Sequence, residues 1–104
     1  MTINDPVAGA TAAPVSLVAL VEYPAGADEA GQRYEDSVLT LLPRHGGRLE
    51  RRLRTGDGHR EVHLIRFDTR AGYEAFLVDP ERIELRQALG DTAPNTRVLE
   101  VHEV

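Results

Sequence analysis

The chain has 104 residues, a formal net charge of −5, twelve basic residues that are all arginine, and neither cysteine nor tryptophan. That length suits one domain, the acidic balance argues against nucleic acid as a partner because phosphate binding needs a basic surface, and the missing thiols exclude disulfides and thiolate chemistry. No stretch approaches the roughly 18 apolar residues of a membrane span, and the opening MTINDPVAGATAAP lacks the basic and continuously apolar regions of a secretory signal, so a soluble cytoplasmic protein is expected.

Residues 1–14 are small, polar and punctuated by Pro and Gly, and read as a flexible tail ahead of a domain over 15–104. Residues 15–23 (VSLVALVEY) are rich in β-formers and almost continuously apolar, the pattern of a strand covered on both faces. From Asp28 the period changes: Ala30, Tyr34, Val38, Leu41 and Leu42 recur at three- and four-residue spacing, one apolar stripe on a helix. Asp28 and Glu29 occupy its first turn, where the helix dipole favours them, and Pro43 with Gly46-Gly47 ends it.

Residues 48–55 alternate Leu49 and Leu53 against Arg48, Glu50, Arg52 and Arg54, which predicts a strand with one buried face. Gly56-Asp57-Gly58 makes a hairpin turn, and residues 61–67 (EVHLIRF) return as the next strand. Asp68 or Thr69 can cap a second helix carrying Gly72, Ala75 and Phe76 on one side. Asp79-Pro80-Glu81 reads as a restart, with Asp79 as N-cap and Pro80 in the first helical position, and Gly90 is the stop. Residues 96–104 (TRVLEVHEV) form the last strand.

The order β-α-β-β-α-β predicts an α+β, ferredoxin-like domain: a four-stranded antiparallel sheet with its helices on one face. Assigning Leu17, Ala19, Val21, Leu64 and Val101 to the uncovered face makes it too apolar for water, so a homodimer is expected to cover it. With aromatics at only 5%, the core is lean and gains from such a partner.

The stretch EVHLIRFDTRAGYEAFLVDPERIEL, with its strand ending in Phe67, helix ending in Phe76 and Asp79-Pro80 restart, resembles the dimeric α+β barrel superfamily. Upstream, YEDSVLTLLPRHGGRLERR resembles the first helix and second strand of its antibiotic-biosynthesis monooxygenase-like members; stress-responsive A/B barrel proteins belong to the same group. The resemblance implies a ligand cavity between sheet and helices of one subunit, with the other sheet face building the dimer barrel. It assigns Val18, Leu20, Glu22, His63, Ile65 and Phe67 to the cavity, Tyr34 and Phe76 to its closure, and Glu100 and His102 to the last strand's share of it. It implies a small cofactor-independent enzyme, monooxygenase or cyclase/isomerase in type, acting on an aromatic or polyketide-like metabolite. The alternative is a non-catalytic, small-molecule-binding or accessory homodimer, because the tryptophan of the quinone-forming and haem-degrading members is missing. The tyrosine and histidine of the plant polyketide cyclases are here Phe76 and Arg82.

His63 is the favoured catalytic residue, being flanked by apolar neighbours, sharing strand parity with Ile65 and Phe67, and titrating near neutrality. Glu22 and Glu100 are candidates to orient it, and the Tyr34 hydroxyl to bind a ligand oxygen. The bland readings are a core histidine satisfied by a hydrogen bond and a core tyrosine. His45 suits a cation at a helix C-terminus, and His59 lies in the hairpin. His63, His102, Glu22 and Glu100 include donors for a metal but no ligand spacing that identifies one. The arginines crowded between Arg44 and Arg54 suit a solvated or interface strand better than an anion site, because acids sit among them.

Overall fold

A computed structural model describes residues 13–104; the expected N-terminal tail lies, but for residues 13 and 14, outside the described residues. The elements in chain order are β1 (Val15–Glu22), α1 (Asp28–Leu39), a 3-10 turn (Leu42–His45), β2 (Gly47–Arg54), β3 (Arg60–Phe67), α2 (Arg70–Leu77), α3 (Pro80–Leu89) and β4 (Asn95–Val101). The sheet is antiparallel with strand order β2-β3-β1-β4, the ferredoxin-like arrangement predicted. No helix among the described residues is long and apolar enough to cross a membrane.

The predicted second helix is two helices, each with its own cap. Thr69 Oγ1 accepts from the Gly72 amide at 3.1 Å to start α2, and Asp79 Oδ1 accepts from the Glu81 amide at 2.9 Å to start α3. Each bond satisfies an amide that a helix start would otherwise leave open. Asp79 also receives His45 Nε2 at 2.6 Å and Arg44 Nη1 at 3.1 Å, so the restart of α3 is fastened to the turn that follows α1. Gly72 belongs to that junction: a Cβ there would overlap the His45 carbonyl oxygen.

Strand register decides which residues meet the helices. Ala19 stands opposite His63, Leu17 opposite Ile65 and Val15 opposite Phe67, and residues directly opposite share a face. Val15, Leu17, Ala19 and Val21 are therefore on the helix side, buried with Ile65, Phe67, Val38 and Phe76. This corrects the expected parity of β1: Val18, Leu20 and Glu22 lie on the open face. The run VSLVALV is apolar in both parities, so alternation within it could not choose between them.

A second correction concerns β2. A bulge between Leu49 and Arg51 shifts its register, so Leu49 faces the helices while Leu53 faces outward, 44% exposed. Arg52 and Arg54 turn inward instead. The open face then carries Leu20, Leu53, Leu99 and Val101, all exposed, beside half-buried Val18 and Leu64.

Candidate functional site

A cavity of about 220 Å³ lies between the helix-side face of the sheet and the helices. Leu17, Ile65, Val38, Phe67, Phe76 and Leu77 make its apolar wall, and Val98 of β4, 44% exposed, marks its open side. Polar groups enter from five elements: His63 from β3, Tyr34 and Glu35 from α1, Tyr73 from α2, Arg82 and Arg86 from α3, and Thr96 from β4.

The anchor beneath this cavity is Glu61, whose side chain is fully buried. Arg52 Nε donates to its Oε1 at 2.8 Å, Arg54 Nε to its Oε2 at 2.8 Å, and Arg52 also reaches Asp36 at 2.6 Å. Burial pushes the Glu61 carboxyl up, but hydrogen bonds from Arg52, His63 and Arg54 outweigh it and hold the pKa down at about 2. Glu61 is thus an anion at any ordinary pH.

His63 Nε2 lies 2.8 Å from Glu61 Oε1. Because that carboxylate is ionised, it accepts, and Nε2 must carry the proton. Burial lowers the pKa of His63 and Glu61 only partly restores it, so the neutral ring is favoured. The neutral ring's free lone pair is on Nδ1, which faces Glu35 at 4.0 Å.

Glu35 is itself 5% exposed. Burial, and then the negative charge of Glu61, push its pKa up to about 7, against the opposing pull of Arg52, Arg82 and Arg86. A neutral imidazole with an open nitrogen and a carboxyl poised between its two states therefore face one another across a small apolar space. One can take a proton and the other give one near neutrality. The Tyr23 hydroxyl is also buried, without a hydrogen-bond partner among the described residues; burial and the nearby Glu61 raise its pKa.

Of the residues expected at the site, His63, Tyr34, Ile65, Phe67 and Phe76 line the cavity. Val18, Leu20 and Glu22 do not: they project from the other face, and Glu22 is exposed and paired with Arg60 at 3.2 Å. Glu22 therefore cannot orient His63; Glu61 does. Glu100 stands opposite Leu17 on the helix side, but is exposed and paired with Arg70 rather than directed at His63. His102 lies beyond the end of β4, exposed, next to Val18 and Leu64 of the open face. The four residues weighed as metal donors are thus divided between the two faces of the sheet.

Glu61 and Glu35 were missed, though both left a signal. Glu61 precedes His63 by two on the same strand, so alternation alone sets them side by side. Glu35 falls on the line Gly31–Glu35–Val38–Leu42, a charged residue at the helical spacing of a buried face.

The order of elements and the sheet give the chain a ferredoxin-like α+β fold, which it shares with solved structures, some of them named after antibiotic biosynthesis monooxygenases. Among solved structures, it is similar to Rv0793 from Mycobacterium tuberculosis (18% identity, TM-score 0.68, covering 88% of this chain and 98% of that one). A protein from Nitrosomonas europaea, provisionally named an antibiotic biosynthesis monooxygenase, matches at 16% identity and TM-score 0.72, over 88% of this chain and 90% of the other. SnoaB, a cofactor-independent oxygenase from Streptomyces nogalater, matches at 16% identity and TM-score 0.66, over 89% and 97%. No protein-family model and no curated protein matches the chain.

Proposed function

We propose that the protein is a small cofactor-independent enzyme, of monooxygenase or cyclase/isomerase type, acting on an aromatic or polyketide-like metabolite held between sheet and helices. The observation that carries this reading is the pairing of His63 with Glu35 inside an apolar cavity, with Glu61 fixing the ring behind. The oxygenase names of similarly folded proteins support the type of reaction.

His63 Nδ1 takes the proton of a phenol or of a carbon acid, and Glu61 stabilises the imidazolium that forms, as a carboxylate behind a catalytic histidine does. Tyr34 hydrogen-bonds the oxygen that bears the developing charge. In the oxygenase case the phenolate gives an electron to O2, and the radical pair combines to form a C–O bond at a ring carbon. The His63 imidazolium protonates the peroxide so formed; the neutral ring then takes that carbon's proton as the O–O bond breaks, the Glu35 carboxyl protonates the departing hydroxide, and the imidazolium returns a proton to Glu35. For 1-naphthol the balance is naphthol plus O2 to 1,4-naphthoquinone plus water. In the cyclase case the same base makes an enolate, which attacks a carbonyl carbon, and Glu35 protonates the new alkoxide.

The open apolar face of the sheet supports pairing with a second copy, the homodimer expected from the sequence. Oxygen uptake and product mass, measured with 1-naphthol and with a short poly-β-ketone, test the enzyme reading. Turnover that falls about 100-fold in H63A, the usual size of a lost general base, sustains it. Binding without turnover of either would leave a binding protein in its place.

A further inference from the structure

The positive charges of this site are not all answered. Arg52 and Arg54 are neutralised by Glu61 and Asp36. Arg82 and Arg86, four residues apart on α3 and so on one helix face, also line the cavity, yet neither has a carboxylate within ion-pair distance among the described residues. Glu35 feels the charge of both, yet makes no ion pair with either and, with its pKa raised to about 7, is mostly neutral below that pH. Arg82 is held in place without a counter-ion: its guanidinium lies 5.2 Å from the centre of the Phe76 ring, and its Nη1 donates to the Leu77 carbonyl at 3.1 Å.

The cavity is also small. A dry apolar cavity of about 150 Å³ is enough to hold benzene, so 220 Å³ takes one ring with substituents or two fused rings. Anything larger has to leave through the open side.

We infer that the ligand is an anionic aromatic of one or two rings, whose carboxylate or equivalent acidic group is held by Arg82 and Arg86 while its ring lies against Phe76 and Ile65. This deepens the proposed function and rests on the same cavity. The arginines fix the end of the ring that does not react, which leaves the opposite edge toward His63 and Glu35. Guanidinium groups suit this role because their planar donors match a carboxylate's two oxygens. On a protein with net charge −5, such a local pair selects acids that the rest of the surface repels.

The test uses 2-naphthoate and its uncharged analogue 2-naphthamide, titrated into the full-length protein by calorimetry at about pH 6, below the raised pKa of Glu35, and at low salt. Naphthoate is expected to bind about tenfold more tightly than the amide, the effect of a charge-assisted hydrogen bond, and to lose that margin in R82Q/R86Q. R86Q alone, at an exposed position with no partner to lose, serves as the variant that must fold, and should remove part of the margin. Equal affinity for the two ligands, a margin unchanged in both variants, or binding of neither overturns the inference. The outcome is independent of catalysis. A naphthoate preference without turnover leaves the anion site standing and removes the enzyme, whereas turnover of neutral 1-naphthol without any preference for acids does the reverse.

Discussion

Among the described residues, two histidine–carboxylate pairs are largely withdrawn from solvent, and they do different work. His45 and Asp79 meet at 2.6 Å at the junction of α1's end and α3's start; His63 and Glu61 meet at 2.8 Å on β3. In both, hydrogen bonding holds the carboxyl at about 2, led at Asp79 by His45 itself and at Glu61 by Arg52 against the effect of burial. The difference lies on the far side of each pair. Asp79 spends its remaining capacity on the Glu81 amide and on Arg44, closing a helix cap, and the pair is a fastening. His63 turns its other nitrogen to the cavity and to Glu35, so its pair is braced from behind and open in front. A short contact between histidine and acid thus says little about function until the second ring nitrogen is followed.

The largest separation between the two pairs is expected in catalysis. H63A should lose about 100-fold in turnover of any confirmed substrate, while H45Q should stay within about threefold of wild type and instead lower the denaturation midpoint, since its loss falls on a cap. Comparable activity losses in the two variants would erase the distinction. Next in size is the stability of the anchor: E61Q leaves Arg52 and Arg54 facing an amide and should cost about 3 kcal/mol in urea unfolding. Rescue by E61D would tie that loss to the charge.

The pH dependence sharpens the same contrast. Glu35 has a folded pKa raised to about 7 against 4.5 unfolded, so its folded form binds more protons and stability falls as pH rises from about 4.5 through 7. Glu35→Gln should therefore stabilise the protein by about 2–3 kcal/mol at pH 8 and by almost nothing at pH 4. Glu61 runs the other way. Its folded pKa of about 2 lies below 4.5, so its contribution is present above 4.5 and is lost as pH falls toward 2. A pH-independent gain in Glu35→Gln would show that this carboxyl is not held protonated by its surroundings. The smallest of these effects is steric: Gly31→Ala sets a Cβ against the Tyr23 ring on α1 and should cost about 1–3 kcal/mol.

Much of this architecture was legible in the chain. The helical stripe through Tyr34 and Val38, the hairpin at Gly56–Gly58 and the restart at Asp79-Pro80 each carry a local chemical cause, and the fold follows from their order. The site was legible only where a strand had contrast. On β3, EVHLIRF alternates clearly enough to place His63, Ile65 and Phe67 together. On β1, VSLVALVE is apolar in both directions, so the choice of face came from pairing with β3 and sent Glu22 away from His63. The glutamates that complete the site lay outside the reading for another reason: a buried charge is recognised by its partners, and Arg52 and Arg54 reach Glu61 only across a change of register.

That change of register is one extra residue in β2, and it acts as a parity switch for everything downstream of it. Counted without it, the alternation beyond Leu49 would present Leu53 to the helices and Arg52 and Arg54 to the outside. With it, Glu50 is absorbed without a partner, so Leu53 stays on the open face and two guanidiniums stay at Glu61. The interior acquires its fixed anion and the exterior its oily patch in the same step. A one-residue deletion at Glu50 would therefore only straighten the strand, leaving Arg52, Leu53 and Arg54 opposite His63, Val62 and Glu61, whereas an added residue there that no bulge absorbed would turn all three to the opposite face.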